Sequence, residues 1–288
     1  MISPFSPDRA AELGDADRRR SAAESAASAG LPDTSTEVWR YSPIADLDIG
    51  QLRVVTSAPD HALTSPAHYS DAVEAIEPAA TIDVVDGFVV ALRVSDGWES
   101  KGLKISAVPL KEIDLADDLN AFDHLHRAFA PDGILVQVPE GLNVTDPVLI
   151  RSHLTTAAAG FTGLKVHAAT DSVITIFAYQ TSDAGGLVVP MTQFHVEQNG
   201  QINHSVVQDL ASDSWQMGRV VSRVDEHATL SSSMIAFGGK YARIRTDSDL
   251  AGRGAKGELV GAYFCDGDQI LDYRTFQQHI APDTLSDL

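Results

Sequence analysis

The residues of this chain that could do chemistry are few and scattered. Gly252-Arg-Gly254-Ala-Lys-Gly257 is a literal G-x-G-x-x-G. That pattern binds a dinucleotide only where a strand precedes it and a helix follows, because the pyrophosphate must meet the amides of a helix N-terminus. Here Glu258-Leu-Val-Gly-Ala-Tyr-Phe264 follows, and these residues read as strand. Gly238-Gly239-Lys240 is followed by Tyr241, where a phosphate-binding loop needs Ser or Thr. Neither glycine run has the surroundings that nucleotide chemistry requires.

The histidines and the cysteine offer single ligands rather than sets. His124 and His126 fall two apart on a predicted helix and so point to different faces. His167, His195 and His204 fall in strand-like runs, which stacked strands could bring together, although the register is not legible. His279 follows the last strand-like run, just ahead of Ala281-Pro282. Cys265 is the chain's one cysteine. A thiolate there could be one soft metal ligand or a nucleophile, and the competing reading is a small buried hydrophobe. Cys265 and His279 are the candidate metal ligands. Asp117-Asp118 are adjacent on the predicted helix and do not face each other as a glycosidase pair must. With no G-x-S-x-G, H-E-x-x-H or C-x-x-C in the sequence, no catalytic set emerges.

The elements that must position these residues divide into two regions. Residues 1–132 read as a helical and mixed region. It holds a helix near Asp8–Ala27, a helix start at the capping-box spacing Thr34–Glu37, and loop-rich chain over 44–80. A hairpin follows around Asp86-Gly87. An amphipathic helix over Asp114–Ala130 carries Leu115, Leu119, Phe122, Leu125 and Phe129 on one face. From residue 133 to 288 short strand-like runs follow one another, among them Ile134–Val138, Val173–Tyr179, Ile202–Val207, Gly218–Val224, Tyr241–Thr246 and Gln269–Tyr273. They are separated by turn signals such as Asn199-Gly200 and Asp266-Gly267, with no convincing helix between them. Such a run suits a solenoid, in which each coil buries its face against the next; without a crisp fixed-period repeat, a sandwich stays open.

Composition narrows the partners. With 21 basic against 40 acidic residues the net charge is −19, the wrong sign for gripping nucleic acid or an anionic membrane surface. A single cysteine allows no internal disulfide, which suits a reducing compartment. No apolar run approaches a membrane span, and the polar N-terminus does not read as a signal peptide. The expected location is cytoplasmic.

Three ordered segments carry a resemblance. The first is Leu31-Pro32 with Glu37-Val-Trp39-Arg40-Tyr41-Ser42. The second is Ala128-Phe129-Ala-Pro-Asp132-Gly133-Ile-Leu-Val-Gln-Val138-Pro139-Glu-Gly141, with Pro147 downstream. The third runs from Leu250-Ala-Gly252-Arg-Gly254-Ala255 through Glu258-Leu259-Val-Gly261-Ala-Tyr263 and Asp266-Gly267-Asp268-Gln269 to Asp272-Tyr-Arg-Thr275-Phe276-Gln-Gln-His279-Ile-Ala281-Pro282. Together they resemble the SufB/SufD family of the SUF iron–sulfur cluster assembly system, and the Glu37-x-Trp39-Arg40-Tyr41 segment its SufD branch. The resemblance implies a mainly β fold, a right-handed parallel β-helix after an N-terminal helical region. It implies a non-catalytic scaffold subunit of the SufBCD complex, pairing with SufB through the β-helices and working with the SufC ATPase. The iron–sulfur cluster would form transiently on that complex, with none held stably by this chain alone. The family pattern continues past Leu288 through further coils and a helical SufC-binding segment, so the resemblance implies a C-terminal truncation. The late interface histidine of the family falls in that stretch. His279 corresponds to a motif residue and Cys265 to no known role. The alternatives are a β-helix enzyme acting on polysaccharide and a β-rich interaction module without a cluster role.

Overall fold

Along the strands from Gly133 to Leu250, even-numbered residues are mostly apolar, and odd-numbered residues change character halfway along each strand of one sheet. In the computed structural model, which describes residues 4–59, 77–109 and 119–288, that pattern becomes two facing sheets. The first runs, in spatial order, β15 (Ile270–His279), β13 (Tyr241–Leu250), β11 (Trp215–Val224), β9 (Leu187–Val196), β7 (Ala158–Ala168), β5 (Gly133–Val138) and β4 (Lys104–Val108), with β1 (Arg53–Val54) paired to β7. The second runs β16 (Leu285–Asp287), β14 (Lys256–Tyr263), β12 (Thr229–Ala236), β10 (Gln201–Asp209), β8 (Val173–Ser182), β6 (Val148–Leu154), β2 (Ala80–Val85) and β3 (Phe88–Val94). The chain alternates between the sheets and pairs in parallel with the strand one coil away. The result is a parallel β-solenoid of about 6 turns behind an N-terminal helical region, with 47% of residues in strands and 16% in helices. This is the solenoid alternative, and the sandwich is excluded because sequential strands lie in opposite sheets rather than pairing as hairpins.

Even-numbered side chains fill the space between the sheets as far as β13, and odd-numbered ones such as Leu259 and Tyr273 do so in β14 and β15. Val136, Val166, Phe194, Val196 and Ile244 come from the first sheet, and Ile174, Ile176, Ile202 and Leu230 from the second. The odd-numbered residues in the first halves of β7, β9, β11 and β13 face outward, yet are also apolar: Phe161, Val189, Met191, Trp215, Met217 and Tyr241. They are buried by the N-terminal region, whose Phe5, Trp39, Phe122, Leu125 and Phe129 pack across them. A sheet covered on both faces reads as a continuous apolar run rather than an alternating one. Phe5 meets Phe129 edge-on at 5.3 Å, a pairing worth about 1 kcal/mol beyond burial.

The helical expectations are partly revised. The helix expected over Asp8–Ala27 is two helices, α1 (Pro7–Ala11) and α2 (Ala16–Ala29), because Gly14 and Asp15 adopt positive φ between them. The start expected at Thr34 yields only a 3-10 turn over Glu37–Trp39. A short helix, α3 (Asp96–Glu99), carries Trp98, which plugs one end of the solenoid. The long amphipathic helix appears as α4 (Ala121–Phe129), set by a capping box between Asn120 and Asp123; Leu115 and Asp117-Asp118 lie outside the described residues. Arg19 of α2 donates to the carbonyls of Ala128 and Ala130 at 2.8 Å, a cation on the C-terminal carbonyls of α4.

Each coil turns at one left-handed residue. Gly141, Asp171, Asn199, His227, Gly254 and Asp283 all have positive φ. The amides of the first five donate to Thr170, Gln198, Glu226, Arg253 and Pro282 of the next coil at 2.9–3.3 Å. This column fixes the rise from coil to coil. At the α3 end, β3 pairs antiparallel with β2 and β4 antiparallel with β5, ending the two sheets; at the other end β15 and β16 are the edge strands.

Candidate functional site

The glycine motifs belong to corners. Gly252 and Gly254 lie in the corner column, and a Cβ on Gly252 would sit well inside 3.0 Å of the Glu226 amide and the Asp225 carbonyl carbon. Their absent side chains allow coils to approach, and β14 follows them, not a helix. Gly238 sits equally tight against Leu210 and donates to Gln208 Oε1 at 3.0 Å, while Lys240 pairs with Asp46 at 3.2 Å.

Two histidines are sealed inside the protein. His204 points into the core from β10, within 3.0 Å of Ser232 Oγ through Nδ1 and 4.8 Å from the ring of Phe194. Burial pulls its pKa down from 6.5 to about 4, so it is neutral. His126 faces the solenoid from α4, and its Nε2 lies 2.9 Å from the carbonyl of Thr162. A carbonyl only accepts, so Nε2 carries the proton, and burial again lowers the pKa to about 4. His124, on the other side of α4, is also lowered by burial.

Two others form a ladder. His167 of β7 and His195 of β9 are register partners on the outer face of the first sheet. Their rings stack at 5.1 Å with 15° between planes. Each Nε2 meets a carboxylate: Glu197 at 2.8 Å and Asp225 at 2.9 Å. His167 in turn holds the Glu197 carboxyl below the usual range. Of the three strand histidines, the fold thus joins His167 with His195 and leaves His204 in the opposite sheet. No group of three His, Cys, Asp or Glu able to hold a metal occurs among the described residues.

Cys265 is exposed in the turn between β14 and β15. It lies near Tyr273, whose phenol is pushed up chiefly by burial and further by the neighbouring Cys265 and Tyr263. His279 ends β15, with Nδ1 2.6 Å from Thr284 Oγ1 and Nε2 3.1 Å from Ser286 Oγ. Six residues of extended strand separate Tyr273 from His279, about 20 Å, so the two candidate ligands are not brought to one centre.

Around β14 to β16 lies a second kind of feature. Val260, Tyr263, Phe264, Ile270, Phe276, Ile280, Leu285 and Leu288 are large apolar residues left exposed on the last coils. Phe237 and Phe264 stack in parallel on the uncovered outer side of the second sheet at 5.6 Å. Sequence reading also missed a row of arginines on the first sheet, Arg219, Arg245 and Arg274. Their spacing of 26 and 29 residues (245 − 219 and 274 − 245) is the coil period, which was the available signal. No helix among the described residues is long and apolar enough to cross a membrane.

Comparison with known proteins bears on these coils. Residues 152–288 match the family model of the SUF system FeS cluster assembly SufBD core domain. An iron–sulfur cluster assembly SufBD family protein of Mycobacterium bovis is 22% identical over 261 residues, covering 90% of this chain and 57% of the relative. A SufBD family protein of Mycobacterium tuberculosis gives the same figures. One from Mycobacterium leprae is 26% identical over 103 residues, 36% of this chain and 26% of the relative. The chain thus spans 57% of the length of the first two relatives it matches.

Proposed function

We propose, from the SufBD core match over residues 152–288 and the likeness to SufBD family proteins, that the chain is a SufB/SufD family member and takes part in iron–sulfur cluster assembly as a non-catalytic scaffold subunit in the cytoplasm. In this reading it pairs with SufB through the solenoid, works with the SufC ATPase, and handles the cluster as transient cargo of the complex. The observation that carries the proposal is the coincidence of the SufBD core match with the stacked coils over 152–288. The exposed apolar residues of the last coils support a partner there, since patches of this kind mark association surfaces. The carboxylates Asp123, Asp247 and Asp272 are each bound to arginine, which leaves them poorly placed as a glycosidase pair. The SufD branch rests on the Glu37-x-Trp39-Arg40-Tyr41 segment, and Cys265 and His279 remain separate candidate cluster contacts. Copurification from the native source tests the proposal: SufB and SufC should elute with the tagged chain, and their absence at physiological salt would sink it.

A further inference from the structure

The paired histidines of the first sheet share more than a ring stack. His167 and His195 occupy the same position of successive coils, and the contact each makes is repeated by a one-coil step. In both, Nε2 reaches the carboxylate 30 residues further on: Glu197 at 2.8 Å and Asp225 at 2.9 Å. An ionised carboxylate only accepts, so Nε2 carries the proton in each ring. The neutral imidazole therefore keeps its lone pair on Nδ1. Among the described residues no hydrogen bond engages Nδ1 of either ring. The pair lies on the second halves of β7 and β9, beyond the stretch that the N-terminal region covers, and the two side chains are 31% and 36% exposed.

An imidazole whose far N–H is held by a carboxylate is the form in which histidine binds metals. The acceptor fixes the tautomer, aims the ring and makes the free nitrogen a better donor. Here the arrangement occurs twice, side by side, and the carboxylates are themselves anchored. Glu197 Oε2 accepts from the amide and hydroxyl of Thr170 at 3.0 and 3.2 Å, and Asp225 Oδ1 from Arg223 Nε at 3.0 Å. The rings lie 5.1 Å apart and 15° from parallel. Two metal–imidazole bonds of about 2.1 Å span at most about 4.2 Å. The rings must then close by roughly 1 Å, a small turn for side chains one-third exposed. Neutral imidazole suits zinc, nickel and copper, whereas magnesium and calcium take oxygen ligands. Among the described residues no third His, Cys, Asp or Glu joins the pair, so water completes the coordination. Exposed pairs of this kind add little to stability, so the ladder can be altered without unfolding the chain.

We propose that His167 and His195 form a two-histidine site for a divalent transition ion of the zinc, nickel and copper class. The ion is bound through both Nδ1 atoms, with Glu197 and Asp225 as positioning residues. The proposal stands on the ladder and does not depend on the role in cluster assembly.

Calorimetric titration of the full chain with zinc chloride tests it, with magnesium chloride as the control. Zinc should bind saturably, one ion to one chain, where magnesium does not. Glu197→Gln and Asp225→Asn should each weaken zinc binding about tenfold. His167→Gln and His195→Gln should weaken it further, with circular dichroism and melting temperature showing the fold retained. With copper(II) as the probe, electron paramagnetic resonance should show coupling to two imidazole nitrogens. Either histidine variant should reduce that to one nitrogen, whereas Glu197→Gln should keep both. The inference is overturned if zinc does not bind at millimolar concentration. It is also overturned if folded His167→Gln/His195→Gln binds zinc as the unaltered chain does, which would place the ion on other residues. Unchanged zinc affinity in both Glu197→Gln and Asp225→Asn would overturn the positioning role.

Discussion

Gly252→Ala isolates what the glycine motif does. Gly252 is not among the left-handed residues, so backbone strain does not enter. The added Cβ meets the Glu226 amide, the Asp225 carbonyl carbon and the Glu226 Cα, all backbone, and all closer than the 3.0 Å that real Cβ atoms respect. No flexible side chain can give way, so the coil itself must move. That move strains the hydrogen bonds of Ala251 and Gly252 to Val224 at 2.8 and 3.2 Å, and of His227 to Arg253 at 2.9 Å. Overpacking of this kind costs up to about 3 kcal/mol. Gly267→Ala is the matched comparison: φ is +58° and nothing lies within 4 Å, so its cost is left-handed strain alone, about 1 kcal/mol. Thermal unfolding should place Gly252→Ala about 5–10 °C below the unaltered chain and Gly267→Ala about 2–4 °C below. Amide exchange should show the loss concentrated at His227 and the neighbouring corner. Gly252→Ala melting within 1 °C of Gly267→Ala would refute the corner reasoning. So would protection of the unaltered chain by NAD that Gly252→Ala abolishes.

Three further outcomes are expected. His204 and His126 are held neutral with pKa values of about 4 against about 6.5 when unfolded. Their contribution is therefore complete above pH 6.5 and lost as pH falls toward 4, by at most about 3 kcal/mol each; urea midpoints should fall between about pH 7 and pH 5, more shallowly in His204→Leu, and an unchanged slope would count against the assignment. Arg219→Ala removes the guanidinium beside the buried carboxylate of Asp123 and the partly buried one of Asp247 and should cost about 3 kcal/mol in urea unfolding, partly recovered by Arg219→Ala/Asp123→Asn, which keeps the cap on Asn120; a cost under about 1 kcal/mol would mean that this contact does not pin α4. The edge strands and exposed apolar residues of β14 to β16 should drive self-association at micromolar concentration, reduced by Phe264→Lys with Val260→Lys; sedimentation as a clean monomer would contradict this.

The solenoid was legible because its interior residues alternate, and the Asp86-Gly87 hairpin because its turn chemistry is unambiguous. The period escaped notice because the fold repeats a conformation, not a residue type. The corner position is filled by Gly141, Asp171, Asn199, His227, Gly254 and Asp283, united only by positive φ. The strand signal is weak over the first halves of β7 and β9, because Ala158-Ala-Gly160 and Pro190 are poor strand residues. Pro190 fits because Gly218 lies opposite, where a Cβ would come within 2.8 Å of the proline ring. At the site level, single histidines could be named but not paired, since pairing depends on register. His167 and His195 differ by 28 residues, yet only the sheet shows that they touch. The arginine row was hidden for the same reason.

The corner column also has a mechanical meaning. Its hydrogen bonds run along the solenoid axis, so a pull along that axis loads each coil against only its neighbour. With the α3 end closed by antiparallel strands and the N-terminal helices packed across β7 to β13, extension should begin at β15 and β16 and proceed one coil at a time. A coil of 28 residues would release about 100 Å of chain per step, giving a sawtooth rather than a single rupture.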